Sequence, residues 1–351
     1  MSVKFNRWLK AGAIVIGVAV LGELVLRAFG FGNPILVAPN AFTNYELLPN
    51  QSIRRMWPLS DSWVAHVRTN RHGMRSDEIP DTKGPNTLRL YFLGDSYTYA
   101  TTQLDQNQIF TALLQHELPG ILHQPVEVMN GSISGWAIAN ELAYLQEHGT
   151  LQADRVILVL NQGDPGQTKA VLPGGFVIPS TLHHPRSAYE ELWYRAVIPQ
   201  FYRLQKSLGI TWFSVARPAE DPGLQGSNDK AAIAQNLDYL TQMSNYVASH
   251  GAKFSIIYIG KADDYSTPRK LAETIAGKNA IFGWATTHRV PYIDVEAALG
   301  GEMANAMLLR DHSHPNVQGA RRIATEIEQE WGALTPDDPL SAAASATVER
   351  P

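Results

Sequence analysis

Two short stretches, far apart in the chain, carry side chains suited to nucleophilic chemistry. Leu90-Tyr91-Phe92-Leu93-Gly94-Asp95-Ser96 places a serine just past an apolar, strand-forming run. Reactive groups in open parallel sheets gather beyond the carboxyl ends of the strands, so the position suits a nucleophile. Gly94 permits a tight turn there, and Asp95 can hold the loop through its backbone N–H groups. Taken alone, a Gly-Asp-Ser tripeptide is better explained as an ordinary turn. The second stretch is Asp311-His312-Ser313-His314-Pro315. An aspartate three residues before a histidine can accept a hydrogen bond from Nδ1 and leave Nε2 facing a hydroxyl. Pro315 fits the first turn of a helix, where its missing N–H costs nothing. The competing readings are a capping cluster and a metal pair from His312 and His314. Alternate residues of an extended segment point to opposite sides, which disfavours the pair.

A third block, Asn130-Gly131-Ser132-Ile133-Ser134-Gly135, follows another short apolar strand. In this order and spacing, Gly94-Asp95-Ser96, the third block and Asp311-x-x-His314-Pro315 resemble the SGNH/GDSL hydrolases. The resemblance covers approximately Leu88 to Trp331. It implies a flavodoxin-like three-layer α/β/α sandwich, a Ser96–His314–Asp311 triad and esterase chemistry without cofactor or metal. It also implies an oxyanion hole built from the backbone N–H groups of Ser96 and Gly135 and a side-chain amide. One block departs from the pattern. Leu160-Asn161-Gln162-Gly163-Asp164 sets Gly163 where the family has its oxyanion asparagine, leaving Asn161 as the nearest substitute and Gln162 second. Losing one such donor costs ~10²–10³ in turnover. Asn70-x-x-Gly73-x-Arg75 resembles a lead-in of membrane-anchored members.

The elements that must position these residues alternate between strand and helix from Leu88 onward. Strands are expected at 88–93, 126–129, 155–160, 253–259 and 290–295, with helices at 137–147, 230–249, 268–287 and 315–331. A further helix follows Asp105, which pairs with Gln108 in a capping box. Such alternation predicts a mostly parallel sheet covered on both faces. Regularity breaks over 165–229, an insertion with a helix at 188–208, and long irregular segments of this kind tend to be lids or binding loops. His183 and His184 in it read as solvated, and Trp193, Tyr194 and Trp212 as packing residues or sugar-stacking surfaces. Residues 32–87 read as an extended lead through Pro58 followed by a strand and turn over 62–75, and 335–351 as a disordered tail.

Lys4, Arg7 and Lys10 precede an uncharged run from Ala11 to Gly22, continued past Glu23 and Arg27 to Phe29. Residues 1–31 therefore read as an uncleaved transmembrane anchor. The basic flank places the N-terminus in the cytoplasm and the body outside the inner membrane, facing a periplasm or exterior. Glu23 and Arg27, four apart, can pair on a helix. The absence of cysteine excludes disulfides, thiolate metal sites and a cysteine nucleophile, and a formal charge of −4 gives no electrostatic case for nucleic acid. Phosphate-binding loops, zinc helices and Gly-x-Ser-x-Gly elbows have no match. The expected partner is an acyl ester. The alternatives are an O-acyltransferase acting on an exported polysaccharide and an inactive glycan-binding module of the same fold.

Overall fold

The apolar run Ala11–Gly22, flanked by Lys10 and Glu23, lies within α1 (Ser2–Ala28) in the computed structural model. Its stretch Arg7–Ala28 has a mean hydropathy of 2.1 and no buried residues, and among the described residues it alone is long and apolar enough to cross a bilayer. At the usual helical rise that stretch is about 33 Å long. The structure describes residues 2–56, 63–167, 182–208, 229–260, 268–295 and 314–336. Asp311, His312, Trp212 and the tail beyond 336 lie outside them.

Two antiparallel hairpins follow α1. The first pairs β1 (Val37–Asn40) with β2 (Asn44–Leu47), and the second pairs β3 (Ser52–Met56) with β4 (Val64–Arg68). The segment through Pro58 is thus not simply an extended lead. The period of β3 is disguised because one of its inward positions is Arg55, only 2% exposed and paired with Glu191 at 2.7 Å. A strand whose buried face carries an arginine shows no apolar alternation.

The main domain is built on β5 (Leu88–Gly94), β6 (Val126–Asn130), β7 (Arg155–Leu160), β8 (Lys253–Tyr258) and β9 (Tyr292–Asp294). All neighbours are parallel, in the order β6-β5-β7-β8-β9. This is the flavodoxin-like order, whose switch point lies between β5 and β7. Between the strands run α2 (Ser96–Tyr99), α3 (Phe110–Leu122) and α4 (Ile138–His148). The insertion contributes α5 (Ala188–Leu192), a π-helical turn (Trp193–Val197) and α6 (Ile198–Leu208). Then come α7 (Lys230–Ser249), α8 (Pro268–His288), α9 (Val317–Gln329) and α10 (Trp331–Leu334).

Alternate side chains of each central strand feed two separate cores. Tyr91 and Leu93 of β5 pack with Leu142 of α4, Met243 of α7 and Trp284 of α8. Leu90 and Phe92 pack with Leu114 of α3, Ile327 of α9 and Trp331 of α10. Helices therefore cover both faces, which is why β5 and β7 read as continuous apolar runs. Sheet closure on both sides leaves the carboxyl edge of β5 and β7 as the place where polar groups can converge.

Candidate active site

β5 ends at Gly94, whose Cα is so close to α2 that an added Cβ would collide with Thr98 Oγ1 and press on the Val159 carbonyl. The chain can then turn at once into α2, with Ser96 as its first residue. Asp95 caps that helix, its Oδ1 accepting from the Tyr97 N–H at 2.9 Å. Ser96 and His314, separated by 218 positions, meet with Oγ and Nε2 2.8 Å apart. Ser96 Oγ also lies 3.4 Å from Asp95 Oδ2. A hydroxyl has one hydrogen to donate, to His314 Nε2 or to Asp95 Oδ2, and the imidazole contact is the shorter. Tyr97 flanks the imidazole, its ring centroid 5.5 Å away. Both Ser96 and His314 are half-buried, open enough for a substrate carbonyl to approach. Asp311, the orienting carboxylate expected on Nδ1, falls outside the described residues.

Asn161 follows β7 and is only 7% exposed. Its Nδ2 donates to Asp95 Oδ2 at 3.0 Å, its Oδ1 accepts from the Gly163 N–H at 2.7 Å, and its own N–H donates to Asp164 Oδ2 at 2.6 Å. One amide hydrogen is committed to the carboxylate behind Ser96, and the second is left for another acceptor. Gln162 is buried beside it. Gly135 lies in an exposed turn. The carbonyl of Ser134 accepts from Tyr45 Oη at 2.9 Å, and in a trans peptide this directs the Gly135 N–H away from the tyrosine.

The turn after Ser96 is held from two further sides. Arg75, fully buried, donates to the carbonyls of Tyr99 (2.5 Å), Leu104 (2.7 Å) and Thr101. Asn130 Nδ2 donates to the Thr98 carbonyl at 2.9 Å. The lead-in motif thereby acquires a physical role: Asn70 Oδ1 accepts from the N–H groups of His72 (2.9 Å) and Met74 (3.0 Å), and the turn delivers Arg75 beneath α2.

Three carboxylates crowd the interior behind Ser96. Burial, opposed by the amides of Tyr97 and Ser96, His314 and Asn161, raises Asp95. Burial and then the charge of Asp95 push Asp164 well above the carboxylate range. Burial, Asp164 and Asp95 do the same to Glu141, which is 1% exposed with neither oxygen hydrogen-bonded. Neither Glu141 nor Tyr45 is signalled by the sequence, since one sits in an amphipathic helix and the other in an apparently irregular lead. His183 and His184 are exposed, Trp193 is exposed and Tyr194 half-buried. Glu46, Glu147 and His148 form the one described grouping with metal-ligand spacing. It is a clasp between β2 and α4, with His148 Nε2 3.0 Å from Glu46 and Asn40 Nδ2 3.1 Å from both Glu147 oxygens.

No family profile and no curated protein matches the sequence. Among solved structures, the chain is similar to TesA, at 20% identity and a TM-score of 0.43 over 71% of this chain and 98% of that one. It is similar to a member of the lipolytic protein G-D-S-L family from Veillonella parvula, at 11% identity and a TM-score of 0.42 over 68% and 96% of the two chains. A third similarity is to a catalytic mutant of Axe2, an acetylxylan esterase from Geobacillus stearothermophilus, at 13% identity and a TM-score of 0.44 over 72% and 97%.

Proposed function

We propose that the protein is a membrane-anchored serine esterase acting through an acyl-enzyme on Ser96. The observation that carries this reading is the 2.8 Å contact between Ser96 Oγ and His314 Nε2 at the switch point of a parallel sheet. His314 takes the proton of Ser96 as Oγ attacks an ester carbonyl, and the Gly135 N–H and the second Asn161 amide hydrogen face the developing oxyanion, the Ser96 N–H being shared with Asp95. Collapse expels the alkoxide, which leaves as an alcohol with the proton from His314. Water, deprotonated by the same imidazole, then attacks the acyl-enzyme, releasing a carboxylic acid and restoring Ser96. Asp311 orients His314 through Nδ1. α1 holds the body on the outer side of the inner membrane, as its basic flank directs.

The test is burst-phase hydrolysis of p-nitrophenyl acetate by the full-length protein in detergent, beside Ser96→Ala. A Ser96-dependent burst, with fluorophosphonate mass added at Ser96, is expected. Undiminished turnover in Ser96→Ala would sink the assignment. Added oligosaccharide separates hydrolysis from transfer, since an acylated sugar product would make the acceptor a hydroxyl instead of water.

A further inference from the structure

Among the described residues of the insertion, the start of α5 docks on α1. Glu23 accepts from the Ala188 N–H at 2.9 Å, and the Tyr189 hydroxyl donates to the Ala19 carbonyl at 2.9 Å. The approach is so close that a Cβ on Gly22 would collide with the Tyr189 hydroxyl. The roll of the helix is fixed from its other side. Glu191, with no exposed side-chain surface, accepts from the Gly32 N–H (2.6 Å), Arg55 (2.7 Å) and Arg195 (2.9 Å). At about 100° per residue, positions two before and two after Glu191 fall on the opposite face. These are Tyr189 and Trp193, 41% and 51% exposed. Four-residue steps drift around an α-helix, but the wider π turn from Trp193 to Val197 offsets the drift. The stripe therefore continues through Phe201, Leu204 and Leu208, which are 50%, 54% and 59% exposed.

We propose that this stripe is a second membrane-contacting surface, with α5 and α6 lying along the bilayer at the headgroup–acyl boundary. The inference rests on the reading of α1 as an anchor. Its partner is the lipid surface because the stripe starts on the spanning helix itself and continues away from it. The uncharged run Ala11–Gly22 would cover only about 18 Å of a ~30 Å hydrocarbon core. The Glu23–Arg27 ion pair, at 2.7 Å, then sits at the boundary, level with the N-terminus of α5. The second hairpin arrives at the same place. The Met56 N–H donates to the Phe29 carbonyl at 3.0 Å, and nearby Trp63 is 64% exposed. Tryptophan and tyrosine gathered around the exit of a spanning helix form the aromatic belt favoured at lipid headgroups.

The absence of native cysteine makes the test direct. Nitroxide labels would be placed one at a time by Phe201→Cys, Leu204→Cys, Val15→Cys in α1 and Gln242→Cys on the exposed side of α7. The full-length protein would be reconstituted in phosphatidylcholine–phosphatidylglycerol nanodiscs and collision rates measured with oxygen and with a nickel chelate. The expected result is a several-fold higher oxygen-to-nickel ratio at Phe201 and Leu204 than at Gln242, approaching that at Val15. Water-like ratios at Phe201 and Leu204 with a lipid-like Val15 would overturn the proposal and leave the anchor standing. Labels at Phe201 and Leu204 shielded from both reagents would overturn it in favour of a protein partner or second copy. A water-like Val15 would overturn both readings.

Discussion

The amide of Asn161 is hydrogen-bonded to the carboxylate of Asp95, at 3.0 Å, across the gap between β7 and β5. Asp95 in turn caps the helix that begins with Ser96, so the Leu160–Asp164 segment is tied to Ser96 through Asp95. Removing the amide in Asn161→Ala leaves Asp95 Oδ2 and the Gly163 N–H short of a partner. A loss of about 1–3 kcal/mol in stability is expected, read as a lower melting temperature. Turnover of p-nitrophenyl acetate should fall by ~10²–10³ if the second amide hydrogen meets the oxyanion. A fall in stability with turnover unchanged would confine Asn161 to positioning.

Tyr45 offers a cleaner probe of the oxyanion side. The hairpin that carries it is held independently, by Trp136 Nε1 donating to the Tyr45 carbonyl (3.2 Å) and Asn140 Nδ2 to the Thr43 carbonyl (2.9 Å). Tyr45→Phe should therefore keep the fold, costing about 1 kcal/mol or less. With the Ser134 carbonyl released, the Gly135 N–H loses its fixed direction. A fall in kcat at constant KM is expected, and unchanged kcat would remove Gly135 from the oxyanion hole.

Arg75 supplies a planar fork to three carbonyls of the segment that follows Ser96. Lysine keeps the charge but cannot bond all three from one point. Arg75→Lys should lower the melting temperature and, with Ser96 acting as proposed, slow ester turnover together, because the segment it holds directly follows Ser96. Circular dichroism melts beside initial rates check this, and wild-type values for both would show that the fork is dispensable.

Glu141 sets a pH dependence of stability. Its carboxyl is raised in the folded protein by burial and by Asp164 and Asp95, against about 4.3 when unfolded. The folded state therefore holds a proton that the unfolded state releases, so stability is greatest below the unfolded value and declines as pH rises toward the folded one. Glu141→Gln keeps the shape without the ionisation. It should melt higher than wild type near neutral to mildly alkaline pH and show no such gain near about pH 4. An equal shift at both ends would mean that packing, not charge, is what Glu141 contributes.

The sheet was legible because its strands are buried on both faces, which leaves long apolar runs at Leu88–Gly94 and Arg155–Leu160. The Asp105–Gln108 capping box was legible for a local reason: both partners lie within one turn, and the structure forms both of its hydrogen bonds. Ser96 and His314 stood out by type and by their places at a strand end and a helix entrance, and the structure sets them in contact. The supporting contacts were hidden. Arg55 fills an apolar-looking slot with a charge because Glu191 reaches it from 136 positions away. The bond from Tyr45 to Ser134 spans 89 positions, and nothing local announces it. Glu141 reads as the polar side of an amphipathic helix, yet that side faces Asp164 in the interior.

Glu191 gathers donors from the exit of α1, the second hairpin and the π turn into one buried knot. α1 and the body thus share one buried joint. Loss of the Gly32 donor would leave a carboxylate that the fold keeps dry one partner short. α1 and the domain therefore behave as one mechanical unit and not as tether and cargo.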